Sequence, residues 1–369
     1  MTLVWTEAMV TDIERLVRCE SPSDDLQAVA RSADVVAGLG TERLGVAPER
    51  IVIEGRTHLR WRFGPATKVL VLGHHDTVWP LGSLATHPFQ VDAGILRGPG
   101  CFDMLGGVVM AMHAIADLPD RDGVTLLITG DEEIGSPTSR SLIEDEARTS
   151  SAVLVLEASG PGGALKTARK GVSYYEVSVI GRAAHAGLEP ERGINAALEA
   201  AAQMMAISHL GDPSLGTTVT PTRIEAGTTA NTVPSTARFA VDVRVCTSIE
   251  QDRVHAAMNA LRPHLPDAQL QIAGGPNRPP LSEHASQTLF ERASRLADEL
   301  GIGPLTSVAV GGASDGNFTA GIGIPTLDGL GAVGGGAHAD DEHLVVADLP
   351  RRTRLVSALL ADLLAEATR

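Results

Sequence analysis

His74 and Asp76 lie two residues apart, directly after the apolar run Lys68–Gly73. In extended chain such residues face the same way. A carboxylate beside an imidazole can bond one ring nitrogen and aim the other at a metal. Alone, the pair reads better as a satisfied surface or loop contact, and His75 offers a second ring; the spacing to Asp76 favours His74. Asp103 sits between glycine clusters in Gly98-Pro99-Gly100-Cys101-Phe102-Asp103-Met104-Leu105-Gly106-Gly107. It is either the cap of a following helix or a metal-bound carboxylate around which the glycines let the backbone fold tightly. Asp131, Glu132 and Glu133 follow the apolar run Val124–Thr129, Glu157 follows Ala152–Leu156, and His338 lies in a glycine-rich segment that starts at Gly334.

Each of these has a plain structural reading. Together they place carboxylates and imidazoles at the ends of three consecutive apolar runs, with Asp103 before the intervening helix. α/β proteins keep their sites at such strand ends. No lysine or arginine accompanies the acids locally, so a divalent cation is the expected countercharge. Mixed His and carboxylate ligands suit zinc, with cobalt or manganese also compatible. Five ligands with one shared carboxylate suit two metals about 3.5–4 Å apart.

The elements that must position these groups follow from hydrophobic pattern. Lys68–Gly73, Val124–Thr129 and Ala152–Leu156 are short, continuous apolar runs, as in strands buried on both faces of an α/β sheet. Helical spacing recurs at Asp12–Arg18, Leu26–Leu39, Leu105–Leu118 and Ser139–Arg148, with Ser23 and Asp24 placed to cap the second. This pattern predicts a three-layer α/β domain. From Val172 to Ile272 the order is β-α-β-β-α-β, that of a ferredoxin-like module. Helices at His284–Leu300 and Pro350–Ala367 return the chain to α/β character. The expected organisation is a catalytic domain of residues 1–171 and 279–369, interrupted by an inserted module of 172–278.

Composition narrows the class. The 369 residues carry 30 Lys and Arg against 45 Asp and Glu, a formal net charge of −15. An acidic chain is a poor match for nucleic acid or for an anionic membrane surface. No apolar stretch approaches membrane-spanning length. The 3 cysteines, Cys19, Cys101 and Cys246, are far apart, which excludes a disulfide framework and a cysteine-built zinc site. The first residues lack the pattern of a secretory signal, so a cytoplasmic protein is expected.

The segments HHDTV, GPGCFDMLGG, TGDEEIGS, LEASG and GGGAH occur in that order along the chain. In this series the sequence resembles the dinuclear-zinc metallopeptidases of the aminoacylase, succinyl-diaminopimelate desuccinylase and glutamate carboxypeptidase family, closest to the carboxypeptidase G branch. The resemblance covers essentially the whole chain. It implies that His74 and Glu157 bind one metal, that Glu133 and His338 bind the other, and that Asp103 bridges both. Asp76 would orient His74. Glu132 would be the general base, taking a proton from the attacking water and passing it to the leaving amine. In the inserted module, taken as a lid and dimerisation domain, His185 would stabilise the tetrahedral oxyanion, in a neighbouring subunit's site across a homodimer. Asn231, Arg244 and Arg278 would contact substrate, with Arg278 gripping a carboxylate, and the loop of Gly312 and Ser314 would offer backbone amides. One position departs from the family pattern: Leu105 stands where a lysine is usual, which removes a positive charge beside the bridging ligand.

The activity so implied is hydrolysis of an amide or peptide bond next to a free carboxylate. A carboxypeptidase releasing a C-terminal residue such as glutamate is the first reading. An N-acyl-amino-acid deacylase or dipeptidase is the alternative, and a non-catalytic peptide-binding protein on the same scaffold a distant one.

Overall fold

A computed structural model describes residues 2–366. The chain forms two compact units. The larger runs through Ala168 and resumes at Leu281–Val310 and from Ser314; the smaller comprises Arg169–Pro280 with Gly311–Ala313. Among the described residues no helix is long and apolar enough to cross a membrane.

The larger unit is built on a six-stranded sheet in the order Glu49–Ile53, Arg56–Arg62, Val124–Thr129, Val69–His74, Ala152–Val155, Thr326–Leu327. Its centre is parallel: Val69–His74 pairs with both Val124–Thr129 and Ala152–Val155. Every residue of these three strands is buried, which is why their sequences are continuously apolar rather than alternating. The first two strands form an antiparallel hairpin at one edge that the sequence analysis did not anticipate. Its outer strand is mostly exposed and carries only three apolar residues, Ile51, Val52 and Ile53, so it lacks the long buried run of the central strands.

Helices Thr2–Val17, Leu26–Leu44, Gly106–Ala116 and Leu349–Glu366 bury apolar side chains in one core with the sheet. The cap of Leu26–Leu44 is Asp25, whose carboxylate accepts the N–H groups of Gln27 and Ala28. Ser23, read from sequence as a candidate cap, instead donates its hydroxyl to Asp76. A second, small sheet joins Gln90–Asp92, Ile95–Arg97, His343–Val345 and Gly334–Gly335. It ties the segment before Asp103 to the segment around His338.

The smaller unit is an antiparallel sheet in the order Thr218–Ala226, Thr236–Val245, Gly171–Ile180, Gln269–Arg278. With helices Ala196–Ser208 and Ser248–Asn259 this is the ferredoxin-like order. Alternate residues of the central strands, Val177, Val179, Phe239, Val241 and Val243, share a core with Ala200, Ile207, Val254 and Met258 of the helices. Helix Ser248–Asn259 is capped by Thr247, whose hydroxyl accepts the Glu250 N–H.

Candidate active site

The parallel register sets the site. His74 ends its strand opposite Thr129, and Leu72 pairs with Val155. Glu132, Glu133 and Glu157 follow within a few residues, so all emerge at the same edge of the sheet. Asp103 arrives from a tight turn, Cys101–Leu105, that feeds helix Gly106–Ala116. Its side chain does not cap that helix. A Cβ at Gly107 would overlap the carbonyl oxygen of Leu156. Only glycine lets the helix start so close to the strand end that carries Glu157.

Two groups result. His74, Asp103 and Glu157 offer ligand atoms within 4.8 Å of one another, and so do Asp103, Glu133 and His338. Asp103 belongs to both. His74 Nε2 lies 3.7 Å from Asp103 Oδ1 and 3.5 Å from Glu157 Oε1. His338 Nε2 lies 3.3 Å from Asp103 Oδ2 and 3.2 Å from Glu133 Oε2. His338 holds a positive φ of 62°, an uncommon conformation for a residue with a Cβ.

The donor chemistry fits cations. His74 Nδ1 lies 2.9 Å from the carbonyl oxygen of Asp76. A carbonyl only accepts, so a neutral ring carries its proton there and turns a bare Nε2 lone pair toward two carboxylates. His74 Nε2, Asp103 Oδ1 and Glu133 Oε1 are buried without hydrogen-bond partners. Buried polar atoms are normally satisfied; three such acceptor atoms converging here are what a pair of cations would satisfy.

The same carboxylates attract positive charge, whether as a cation or as a proton on the rings. Burial opposes protonation of His74, but the carboxylates of Asp103, Asp76 and Glu157 outweigh it and hold the ring well above the usual histidine range. The carboxylates of Asp103 and Glu133 push His338 up to about 10. Burial, reinforced by the Asp103 charge and opposed by His338, raises Glu133 to about 7. Burial would also raise Asp103, yet His338 and His74 hold it far below the ordinary carboxylate range.

His75 is spent on structure. Its Nδ1 meets Ser32 Oγ at 3.1 Å, its Nε2 meets Thr57 O at 3.1 Å, and burial lowers its pKa to about 4. The ring offered to the site is therefore that of His74. Asp76 reaches the acidic turn as well as His74. Its carboxylate lies 3.5 Å from His74 Nδ1 and accepts the N–H groups of Glu132 and Glu133, each at 3.2 Å, and the hydroxyl of Ser23 at 2.7 Å. Burial would raise this carboxyl, but His74 and Ser23 hold it at about 2. Glu132 is 8% exposed, at the lip of the site.

Sequence reasoning missed three buried carboxylates behind these residues. Asp131 turns away from its two acidic neighbours and accepts the N–H and hydroxyl groups of Thr138 and Ser139. Asp315 accepts Thr129 Oγ1 at 3.1 Å and the hydroxyl of Ser136. Glu342 binds the Asp103 turn. The cluster of Thr and Ser after Asp131 was the available signal for the first; the other two partners are remote in sequence.

Of the residues expected to meet substrate, His185, Asn231, Arg244, Arg278 and Gly312 belong to the smaller unit and Ser314 to the larger. His185 and Asn231 come from adjoining segments: Ala186 N donates to Asn231 O at 2.9 Å. The exposed His185 ring accepts the N–H groups of Gly187 and Leu188 at Nδ1, which leaves Nε2 as its proton-bearing atom when neutral. Arg244 forms a bidentate pair with Asp242 and lies over the Tyr174 ring. Arg278 is 4% exposed. The carbonyls of Gly312 and Ala313 accept from Arg169. Ser314 is buried, with its N–H given to Asn317 and its hydroxyl to Asp328, so its amide is engaged inside the loop.

Residues 70–362 match the peptidase family M20/M25/M40. The chain belongs to this family. It is 29% identical to carboxypeptidase G2 of Pseudomonas sp. over 96% of this chain and 89% of that protein. It is 30% identical to the succinyl-diaminopimelate desuccinylase of Thioalkalivibrio sulfidiphilus over 88% of this chain and 91% of the relative. Among solved structures it is similar to the M20 family metallo-carboxypeptidase Sso-CP2 of Sulfolobus solfataricus, with a TM-score of 0.74 at 16% identity over 96% of this chain and 98% of that one. The M20 membership and the His, Asp and Glu groups identify the chain as a metallo-hydrolase.

Proposed function

We propose that this M20 metallo-hydrolase is a carboxypeptidase that releases a C-terminal amino acid such as glutamate. The observation that carries the reading is the sharing of Asp103 by two ligand groups, with Glu132 beside one of them. Similarity to carboxypeptidase G2 over nearly the whole chain supports the substrate class.

In this reading His74, Asp103 and Glu157 hold one divalent cation, and Asp103, Glu133 and His338 hold the other. Zinc suits the ligands, with cobalt or manganese as replacements. Bound cations there would polarise the scissile carbonyl and acidify water. Glu132 takes the proton from the attacking water and delivers it to the leaving amine, as a general base and then acid. Asp76 fixes the backbone from which Glu132 and Glu133 project. Arg278 grips the substrate carboxylate, for which a guanidinium is suited by its two parallel N–H groups. Asn231, Arg244 and the Gly312–Ser314 loop line the same substrate, and His185 stabilises the oxyanion within a homodimer.

A second reading, removal of an N-acyl group from an amino acid, is favoured by the 30% identity to a succinyl-diaminopimelate desuccinylase. Initial rates of the zinc-loaded protein on N-acyl-glutamate, N-succinyl-diaminopimelate, N-acyl-arginine and simple dipeptides separate the two. The first reading expects the highest kcat/KM on the acyl-glutamate. A higher value on the succinyl substrate or on acyl-arginine overturns it.

A further inference from the structure

Glu342 is a carboxylate with no place in the reaction as described, yet it is 4% exposed and lies four residues beyond His338. Its charge is met by N–H groups. Oε2 accepts Trp79 Nε1 at 2.6 Å and Gly100 N at 2.9 Å. Oε1 accepts Phe102 N at 2.9 Å and Asp103 N at 3.0 Å. Hydrogen bonds to an ionised acceptor are the stronger kind, and three of the four come from one short turn. That turn is closed from the other side by Leu105 N donating to Gly100 O at 3.0 Å. Gly100 holds φ at 70°, and a Cβ there would collide with Thr77.

Glu342 is itself anchored. Its N–H donates to Ala339 O at 3.0 Å. The next residues, His343 and Leu344, pair with Arg97 and Leu96 in the small sheet. One side chain therefore joins the backbone of Asp103, shared by both ligand groups, to the loop that carries His338. Trp79 extends the link to the segment just after His74 and Asp76.

We propose that Glu342 is a positioning residue that holds the Asp103 turn in register with the His338 loop and thereby sets the geometry of both ligand groups. This rests on the two-cation reading of the site. The same contacts would serve a purely structural brace, so the test must read the site itself.

Glu342→Gln keeps shape but turns an amide NH2 toward N–H donors. In calorimetric titration of the apo-protein, wild type is expected to bind two equivalents of zinc. Glu342→Gln should bind at least one of them about tenfold to a hundredfold more weakly, the usual scale for residues behind ligands. The visible spectrum of the cobalt-loaded variant should shift, and kcat should fall while KM stays within about twofold. Unchanged zinc affinity, cobalt spectrum and kcat in a folded variant overturn the proposal. Fewer than two equivalents bound by wild type would instead fail the two-cation reading. If Glu342→Gln does not fold, Glu342→Asp keeps the charge and shortens its reach to the Asp103 turn. A shifted cobalt spectrum is then expected, and a superimposable one overturns the proposal.

Discussion

Asp76 holds Glu133 by its backbone: the Asp76 carboxylate accepts the Glu133 N–H at 3.2 Å, and that of Glu132 at the same distance. Its own carbonyl oxygen meanwhile takes His74 Nδ1 at 2.9 Å. The main chain and the side chain of Asp76 both reach the imidazole, and the side chain also orients the acidic turn.

Asp76→Asn separates these two tasks. The carbonyl that fixes His74 stays, while one of the two amide acceptors is lost. We expect kcat to fall about tenfold to a hundredfold with metal content retained. Steady-state kinetics with metal analysis checks this; loss of metal with kcat unchanged after reloading would place the role of Asp76 on His74 instead.

Glu132→Gln removes the proton carrier and leaves both ligand groups intact. Rates should drop by about 10²–10⁴ while metal stoichiometry stays at the wild-type level. Hydrolysis at a near wild-type rate would show that another group is the base.

Chelation should lower the melting temperature. The site crowds three acidic side chains and two imidazoles, and ligand binding to the folded state alone stabilises it by mass action. A thermal scan with EDTA, then with zinc restored, should show a fall and a recovery. A melting point indifferent to both would argue against structural coupling of the cations.

Acid sensitivity has a separate source at Asp12. Its carboxylate is buried, accepts Arg43 at 2.7 and 2.8 Å, and meets His113 Nε2 at 2.7 Å. Burial would raise its pKa, but these partners win and hold it below 3.8. A lowered carboxyl stabilises the fold above its unfolded value and loses that contribution as pH falls through the folded one. Asp12→Asn should therefore cost about 2 kcal/mol near neutrality. The difference from wild type should shrink as pH falls below the ordinary carboxylate range, measured by urea unfolding near neutrality and in acid.

The shared site implied for His185 gives a mixing test. His185→Ala and Glu132→Gln proteins should each be nearly inactive, and hybrids formed by subunit exchange should recover part of the activity. No recovery despite demonstrated exchange would place His185 in its own subunit's site.

Much of this was legible along the chain. Continuous apolar runs marked the three central strands because burial on both faces demands it. His74, Glu132, Glu133 and Glu157 were found because strand ends in such a sheet lie at one edge. The ferredoxin-like order followed from the alternation of Val172–Ile180 and Thr236–Val245. The outer hairpin Glu49–Ile53 and Arg56–Arg62 was not, because its apolar run is only three residues long and its second strand is interrupted by charged residues.

The sequence by itself determined which side chains can bind cations and which elements deliver them. The spacing to Asp76 favoured His74, and the tertiary structure supplied the reason His75 is not free: it finds Ser32 and Thr57. Only the tertiary structure decided that Asp131 turns from its acidic neighbours, and that Glu342 reaches back to the Asp103 turn. Each outcome depends on hydrogen-bond partners remote in sequence or set by local turn geometry, and a buried charge goes where its partners are.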